Sequence, residues 1–316
     1  MSIFKLDPAF KDYIWGGTRL RDEYGKKCDY DKVAESWELS CHKDGPSVVA
    51  DGEYKGLTLN EYIEKAGKGV LGKNCERFEN FPILIKLIDA KDNLSVQVHP
   101  DNDYAMRVEG EYGKTEMWYV VDCDEGATLL YGFKHEITKE EFARRIADNT
   151  LLEVTNAVPV KKGDVFFIKS GTLHAIGKGI LIAEIQQNSN TTYRIYDYGR
   201  VGKDGKPREL HVDKALDVTK LAPAEQYPET PVEKKDGYDI KLLSKCEYFT
   251  TYRVNVETKA ELDADENSFN SILVLEGEPV ISGGETVSAK KGESVFISAG
   301  TGKYTVEGKC TFVLTK

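Results

Sequence analysis

Lys161-Lys-Gly-Asp-Val-Phe-Phe-Ile-Lys-Ser-Gly-Thr172 recurs without gaps as Lys290-Lys-Gly-Glu-Ser-Val-Phe-Ile-Ser-Ala-Gly-Thr301, with seven identities in twelve positions and both glycines kept. Each copy reads as a turn, a short apolar strand and a second turn, so the repetition points to a duplicated β-rich unit. The surrounding sequence has the same texture. Phe81-Pro-Ile-Leu-Ile-Lys-Leu-Ile88, Glu116-Met-Trp-Tyr-Val-Val121, Asp164-Val-Phe-Phe-Ile168, Ile180-Leu-Ile-Ala-Glu-Ile185 and Ser271-Ile-Leu-Val-Leu275 are separated by Gly, Asn, Asp and Lys turns. That is the pattern of an all-β sandwich or barrel. Neither Gly-x-Gly-x-x-Gly nor a Walker-type loop occurs, so dinucleotide and P-loop folds lack support.

Helices enter as insertions on this scaffold. Thr58-Leu-Asn-Glu61 and Thr138-Lys-Glu-Glu141 are capping-box patterns, opening segments to about Lys65 and about Asp148. A third helix is predicted after Pro100, over about Asp101 to Glu111. Three prolines in Leu221-Ala-Pro-Ala-Glu-Gln-Tyr-Pro-Glu-Thr-Pro231 mark an extended connector. The expected division is therefore 1–225, carrying the chemistry, and 226–316, a run of short strands with few chemical residues.

The bulk properties exclude several partners. At 316 residues the chain has room for roughly two domains. Its net charge of -10, from 43 basic and 53 acidic side chains, argues against nucleic acid or an anionic membrane. An anionic substrate would need a local cluster of Lys and Arg. No apolar run approaches the ~20 residues of a membrane span. Asp7 and Pro8 stand where a signal peptide would be apolar, and the six cysteines are scattered without a Cys-x-x-Cys pair. The expectation is a reduced, cytoplasmic protein, a monomer or weak homo-oligomer.

The chemical residues concentrate between the first repeat copy and the strands before it. In Ser95-Val-Gln-Val-His99, strand alternation puts Ser95, Gln97 and His99 on one face. Pro100 favours extended backbone at His99. Glu116 opens an apolar strand, and His174 ends Ser170-Gly-Thr-Leu-His174 after another. Two His, one Glu and one Gln are hard-to-borderline ligands suited to zinc or another divalent transition metal. The spacing Gly163, Lys169-Ser-Gly171, His174 resembles the second cupin motif, with Lys169 replacing the usual Pro. Gln97-Val-His99 followed by Glu116 resembles the first, with Gln in place of one His. Lys303 stands where the second repeat copy would carry its His.

Ser95-Val-Gln-Val-His-Pro-Asp101, Gly113-Lys-Thr-Glu-Met-Trp118, Ser170-Gly-Thr-Leu-His-Ala-Ile176 and Tyr193-Arg-Ile-Tyr-Asp197 together resemble the type I phosphomannose isomerases, in their short bacterial form. The resemblance implies a mainly β fold of two cupin-type β-barrel or jelly-roll units. The first has helical insertions and one Zn²⁺; the second is metal-free. It places the metal ligands on Gln97, His99, Glu116 and His174 and the family's catalytic arginine on Arg194. It implies interconversion of mannose 6-phosphate and fructose 6-phosphate through a cis-enediol, with a sugar phosphate as the only partner.

That chemistry needs a base, an electrophile and a phosphate clamp. Lys86 interrupts an apolar strand and is expected to point into a polar pocket. With Lys114 and Ser95 it is assigned to substrate or phosphate contact. Arg194 is cast as a stabiliser of developing negative charge. Glu184, in Leu181-Ile-Ala-Glu-Ile185, is the candidate base, its pKa expected to rise by burial. Lys114 and a hydroxide held by the metal are the other candidates. Two further classes stay open: another metal-dependent cupin enzyme (sugar isomerase or oxygenase), and a non-catalytic sugar-phosphate binder.

Overall fold

The computed structural model describes residues 2–202 and 205–316. Among the described residues antiparallel strands dominate and form four sheets. A six-stranded sheet runs, edge to edge, Val165–Ile168, Glu116–Cys123, Ile180–Gln187, Ile83–Ala90, Glu35–Leu39, Ala9–Lys11. A five-stranded sheet faces it, in the order Tyr193–Tyr196, Val96–Val98, His174–Ala175, Thr128–Phe133, Thr155–Pro159. An eight-stranded sheet begins Val232–Lys235, Tyr238–Lys245, Thr250–Val256, Cys310–Thr315, Asn270–Gly277, Ser294–Ile297. It then takes in Ile3–Asp7 and Val48–Val49 from the start of the chain. A four-stranded sheet, Lys259–Ala264, Gly302–Glu307, Val280–Ser282, Thr286–Ser288, faces the eight-stranded one.

The strands read as unbroken apolar runs because both faces of the six-stranded sheet are covered. Ile83, Ile85, Leu87, Met117, Tyr119, Leu181, Ala183 and Ile185 face one core, shared with Phe4, Leu273, Phe296 and Val313 of the eight-stranded sheet. Phe296 stacks on Phe4 at 5.4 Å and on Phe269 at 5.3 Å, and Tyr62 meets Phe4 edge-on at 4.8 Å. Alternate residues of the same strands, Ile88, Trp118, Val120, Ile180 and Ile182, face the five-stranded sheet through Leu129, Tyr131 and Ile176. A third cluster, including Val254, Ile272, Tyr304 and Phe312, fills the space between the eight- and four-stranded sheets. The helices lie outside these layers, Phe142 and Ala215 closing over Val96, Val98, Tyr193 and Ile195.

The repeated twelve residues fold alike down to single hydrogen bonds. In each copy the fourth residue's N–H donates to the first residue's carbonyl (Asp164 to Lys161, Glu293 to Lys290). Its carboxylate in turn accepts from the first residue's N–H. The third residue, Gly163 or Gly292, sits at φ 92° or 86° and donates to Val120 or Val274 of the neighbouring strand. Glycine holds this left-handed turn without a Cβ penalty.

The two capping boxes do start helices. Thr58 and Glu61 cap Leu59–Ala66 reciprocally, and Thr138 accepts from Glu141 N at the head of Lys139–Ala147. The third helix is shorter than predicted, Asn102–Val108, because Asp101 rather than Pro100 sets its start and Gly110 turns the chain at φ 70°. Two short helices, Arg19–Asp22 and Val212–Val218, carry no side-chain cap bond and left no signature in the sequence. The expected connector is irregular over 221–231 and is pinned by Ile137 N donating to Leu221 O. No helix among the described residues is long and apolar enough to cross a membrane.

Candidate active site

Strand register brings the chemical residues into two facing rows. Across the six-stranded sheet, Trp118 pairs with Glu184, Glu184 with Lys86, and Lys86 with Trp37. Across the five-stranded sheet, Arg194 pairs with Gln97, Gln97 with His174, and His174 with Tyr131. The rows touch where Trp118 meets the His174 ring edge-on at 5.2 Å. Glu116, two residues before Trp118 and so on the same face, completes the contact. Ser95, Gln97, Lys86, Lys114, Glu184 and Arg194 line one cavity of about 250 Å³. His99, Glu116 and His174 lie fully buried beside it, their ligand atoms within 4.8 Å of one another.

The donor set around these three residues fits a divalent cation. His99 Nδ1 and His174 Nδ1 lie 2.9 and 2.8 Å from the carbonyls of Thr191 and Thr172. A carbonyl only accepts, so each Nδ1 carries the proton and each Nε2 presents a lone pair. Those two lone-pair nitrogens are 3.2 Å apart, with Glu116 carboxylate oxygens 3.7 and 3.3 Å from His99 and His174. Among the described residues only the Lys114 ammonium reaches a Glu116 oxygen closely, at 2.9 Å. Acceptors do not converge in a buried space unless a positive charge holds them. Gln97 Nε2 lies 3.4 Å from His174 Nε2, and a half-turn of the amide puts Oε1 there instead. The Lys114 ammonium supplies part of the positive charge, 2.9 Å from Glu116 and 3.1 Å from His99 Nε2.

Charge alternates along the floor of the cavity. Lys86 Nζ is 3.4 Å from both Glu35 and Glu184, and Lys114 is 3.9 Å from Glu184. Indole N–H groups hold the carboxylates, Trp37 donating to Glu35 and Trp118 to Glu184, each at 2.7 Å. Burial pulls the Lys86 pKa down, but Glu35 and Glu184 outweigh it and the ammonium is favoured. Burial and the neighbouring Glu184 charge push Glu116 up, to about 8. Burial, then Lys114 and His174, hold His99 well below the ordinary imidazole range, and burial takes His174 down to about 4. Both rings are thus neutral, the form that ligates metal.

Glu184 corrects an expectation. Burial raises its pKa, but Lys114, Lys86 and the Trp118 N–H more than offset that, so it lies below the usual glutamate range instead of near neutrality. Sequence reading saw the apolar strand and not the two lysines that long-range pairing delivers.

Several lining residues escaped sequence reading: Tyr13, Trp15, Glu35, Asn190, Thr192 and Arg208. Glu35 had a signal, an acid inside the strand Glu35–Leu39, comparable to Lys86 in its own strand. The others come from loops and edges whose approach depends on the whole fold.

The comparisons with known proteins follow the geometry. A family model described as the catalytic domain of type I phosphomannose isomerase matches residues 3–126, and one described as the cupin domain of mannose-6-phosphate isomerase matches 239–316. A Bacillus subtilis mannose-6-phosphate isomerase is 41% identical, covering 95% of this chain and 94% of the relative. One from Streptococcus mutans is 40% identical, covering 90% and 88%. A crystal structure of mannose 6-phosphate isomerase from Bacillus subtilis superposes with a TM-score of 0.94 at 38% identity, over 100% of both chains.

Proposed function

The chain belongs to the type I phosphomannose isomerase family of aldose–ketose isomerases, and from that premise we propose that it interconverts mannose 6-phosphate and fructose 6-phosphate through a cis-enediol, with one Zn²⁺ per chain. We read the two sheet pairs as two cupin units, the first catalytic and the second metal-free. The observation that carries the reading is the buried trio His99, Glu116 and His174, its lone pairs converging beside a cavity lined by two lysines, two acids and two arginines.

Gln97, His99, Glu116 and His174 would hold the zinc, which would supply positive charge against the negative charge developing on the substrate's oxygens. Glu184 is the base. Its depressed pKa keeps it ionised, the Trp118 indole fixes one oxygen, and the other is buried without a hydrogen bond. It takes the C2 proton of the open-chain aldose and returns it to C1. Lys114, held between Glu116 and Glu184, gives O1 the proton it needs and recovers one from O2. Arg194 stays protonated and stabilises the enediolate oxygen. Lys86 and Ser95 contact the substrate from the cavity floor.

The test is conversion of mannose 6-phosphate to fructose 6-phosphate by purified protein, before and after chelation and with zinc restored. Activity that disappears with chelator and returns with zinc supports both reaction and metal. Folded, zinc-loaded protein without conversion sinks the isomerase reading and leaves the sugar-phosphate binder. Arg194→Ala separates these classes again, since a binder loses affinity and an isomerase loses turnover.

A further inference from the structure

We propose that Glu111 is a positioning residue: its carboxylate clasps the loop 188–192, fixes the carbonyl of Thr191 and through it sets the ring of His99. This rests on the reading of His99 as a metal ligand.

The two imidazoles are oriented by unequal means. His174 Nδ1 meets the carbonyl of Thr172, two residues away in one tight turn, where Thr172 N–H donates to Lys169 O. His99 Nδ1 meets the carbonyl of Thr191, 92 residues further along the chain. Thr191 lies in the irregular stretch between Ile180–Gln187 and Tyr193–Tyr196, where the chain crosses from the six-stranded to the five-stranded sheet. Its backbone stands outside both ladders, so the aim of that carbonyl depends on other contacts.

Glu111 supplies them. Its carboxylate accepts from the Thr191 hydroxyl at 3.3 Å and from the backbone N–H of Asn190. On its other side the Lys43 ammonium is 2.9 Å away and His42 Nε2 3.7 Å. Asp44 N–H donates to His42 Nδ1, so the ring's proton sits on Nε2, facing Glu111. The Asp44 carboxylate in turn accepts from the Asn190 amide at 2.9 Å, closing the loop against the turn 42–44. Burial raises the Glu111 pKa, but Lys43, His42 and the Asn190 N–H outweigh it and hold the carboxyl below the usual glutamate range. Glu111 is itself anchored beside His99. It stands three residues before Lys114, whose N–H donates to the carbonyl of Pro100, the neighbour of His99. The clasp thus joins the strand that carries His99 to the loop that aims it. Asn190 and Thr192, flanking Thr191, line the cavity, so the same contacts shape its wall.

The test titrates Co²⁺ into metal-free protein and reads its visible ligand-field absorption, in parallel with thermal unfolding. Glu111→Ala is expected to weaken Co²⁺ binding by about 10-fold, the lower end for loss of an outer-shell partner, and to alter the absorption envelope. Glu111→Gln keeps an acceptor for Thr191 and Asn190 and should restore most of the affinity. Lys43→Met removes an exposed charge and should change affinity by less than about two-fold. Thr191→Val deletes the hydroxyl and keeps the carbonyl. It should weaken binding, and combined with Glu111→Ala it should add little, because the two side chains act as one unit. Thr191→Val carries the test if Glu111→Ala does not fold. Unchanged Co²⁺ affinity and spectrum in folded Glu111→Ala or Thr191→Val overturns the proposal, even where the melting temperature falls. So does a Glu111→Gln protein as impaired as Glu111→Ala. Wild type that binds no Co²⁺ sinks the metal reading and the clasp together, whereas wild type that binds it beside an unaffected Glu111→Ala sinks the clasp alone.

Discussion

Two blocks of six strands in this molecule share one topology and differ in what they hold. The six-stranded sheet and the corresponding part of the eight-stranded sheet have the same strand order, and the repeat segment sits at the same place in each. Following that register, Trp118, Glu184, Lys86 and Trp37 correspond to Ile272, Leu314, Tyr252 and Leu242. Glu116 corresponds to Asn270, whose amide donates to the buried Tyr304 hydroxyl at 2.8 Å. One row is charged and borders a cavity; the other is apolar and its space is filled. The scaffold is indifferent to which row it carries, and under the proposed function the activity rests on a few inward side chains of the charged row. Burying charged groups is costly, and the first row bears that cost where the second does not.

The largest expected effect breaks the difference at its most consequential position. Glu116→Gln should lose bound metal, measured by elemental analysis of the purified protein, and lower turnover by at least ~10³-fold. Full turnover from metal-free Glu116→Gln protein would remove the metal site from the reaction. Next is the apolar core that both blocks share. Phe296→Ala should destabilise the whole chain by about 3–5 kcal/mol in urea unfolding, because Phe4, Phe269 and Tyr62 lose a common partner.

The third prediction makes the first row resemble the second. Lys86→Met alone should cost about 3–5 kcal/mol by stranding Glu35 and Glu184. Glu184→Leu added to it should recover part of that loss while activity stays absent. A double variant less stable than the single one would show that the charged row is itself a source of stability. The smallest effect lies at the cavity mouth. Burial opposes ionisation of Asp197, but Arg208 and Arg200 outweigh it and hold the carboxyl below the usual aspartate range. Its stabilising contribution is therefore complete above about pH 4, its unfolded value, and disappears as pH falls through the lower folded value. Asp197→Asn should cost about 1–2 kcal/mol at pH 7. The gap to wild type, read from melting temperatures, should narrow only below about pH 4.

What the sequence disclosed follows from how local each feature is. The ligand face Ser95, Gln97 and His99 was legible because alternation along a strand is a two-residue rule. The capping boxes were legible because both partners lie within four residues. Lys86 interrupts an apolar run and Glu35 opens a short strand, but that they share a site depends on pairing across strands fifty residues apart in the chain. Arg208 had no local mark, since its place on the cavity comes from its ion pair with Asp197 and from a segment folded back along Tyr193–Tyr196. The direction of the Glu184 shift was lost for the same reason: desolvation can be read from neighbours in sequence, counter-charges cannot.

The placement of Ile3–Asp7 has a consequence for how the molecule is made. This strand leaves the ribosome well ahead of Ser294–Ile297, with which it pairs, Ile3 opposite Ile297. At about 5–20 residues per second its partner arrives roughly 15–60 s later. Until then Ile3, Phe4 and Leu6, all buried in the finished protein, have no permanent neighbour on that edge. That edge closes only once Ser294–Ile297 has been made, so the later strand decides when the earlier one becomes safe from pairing with other nascent chains.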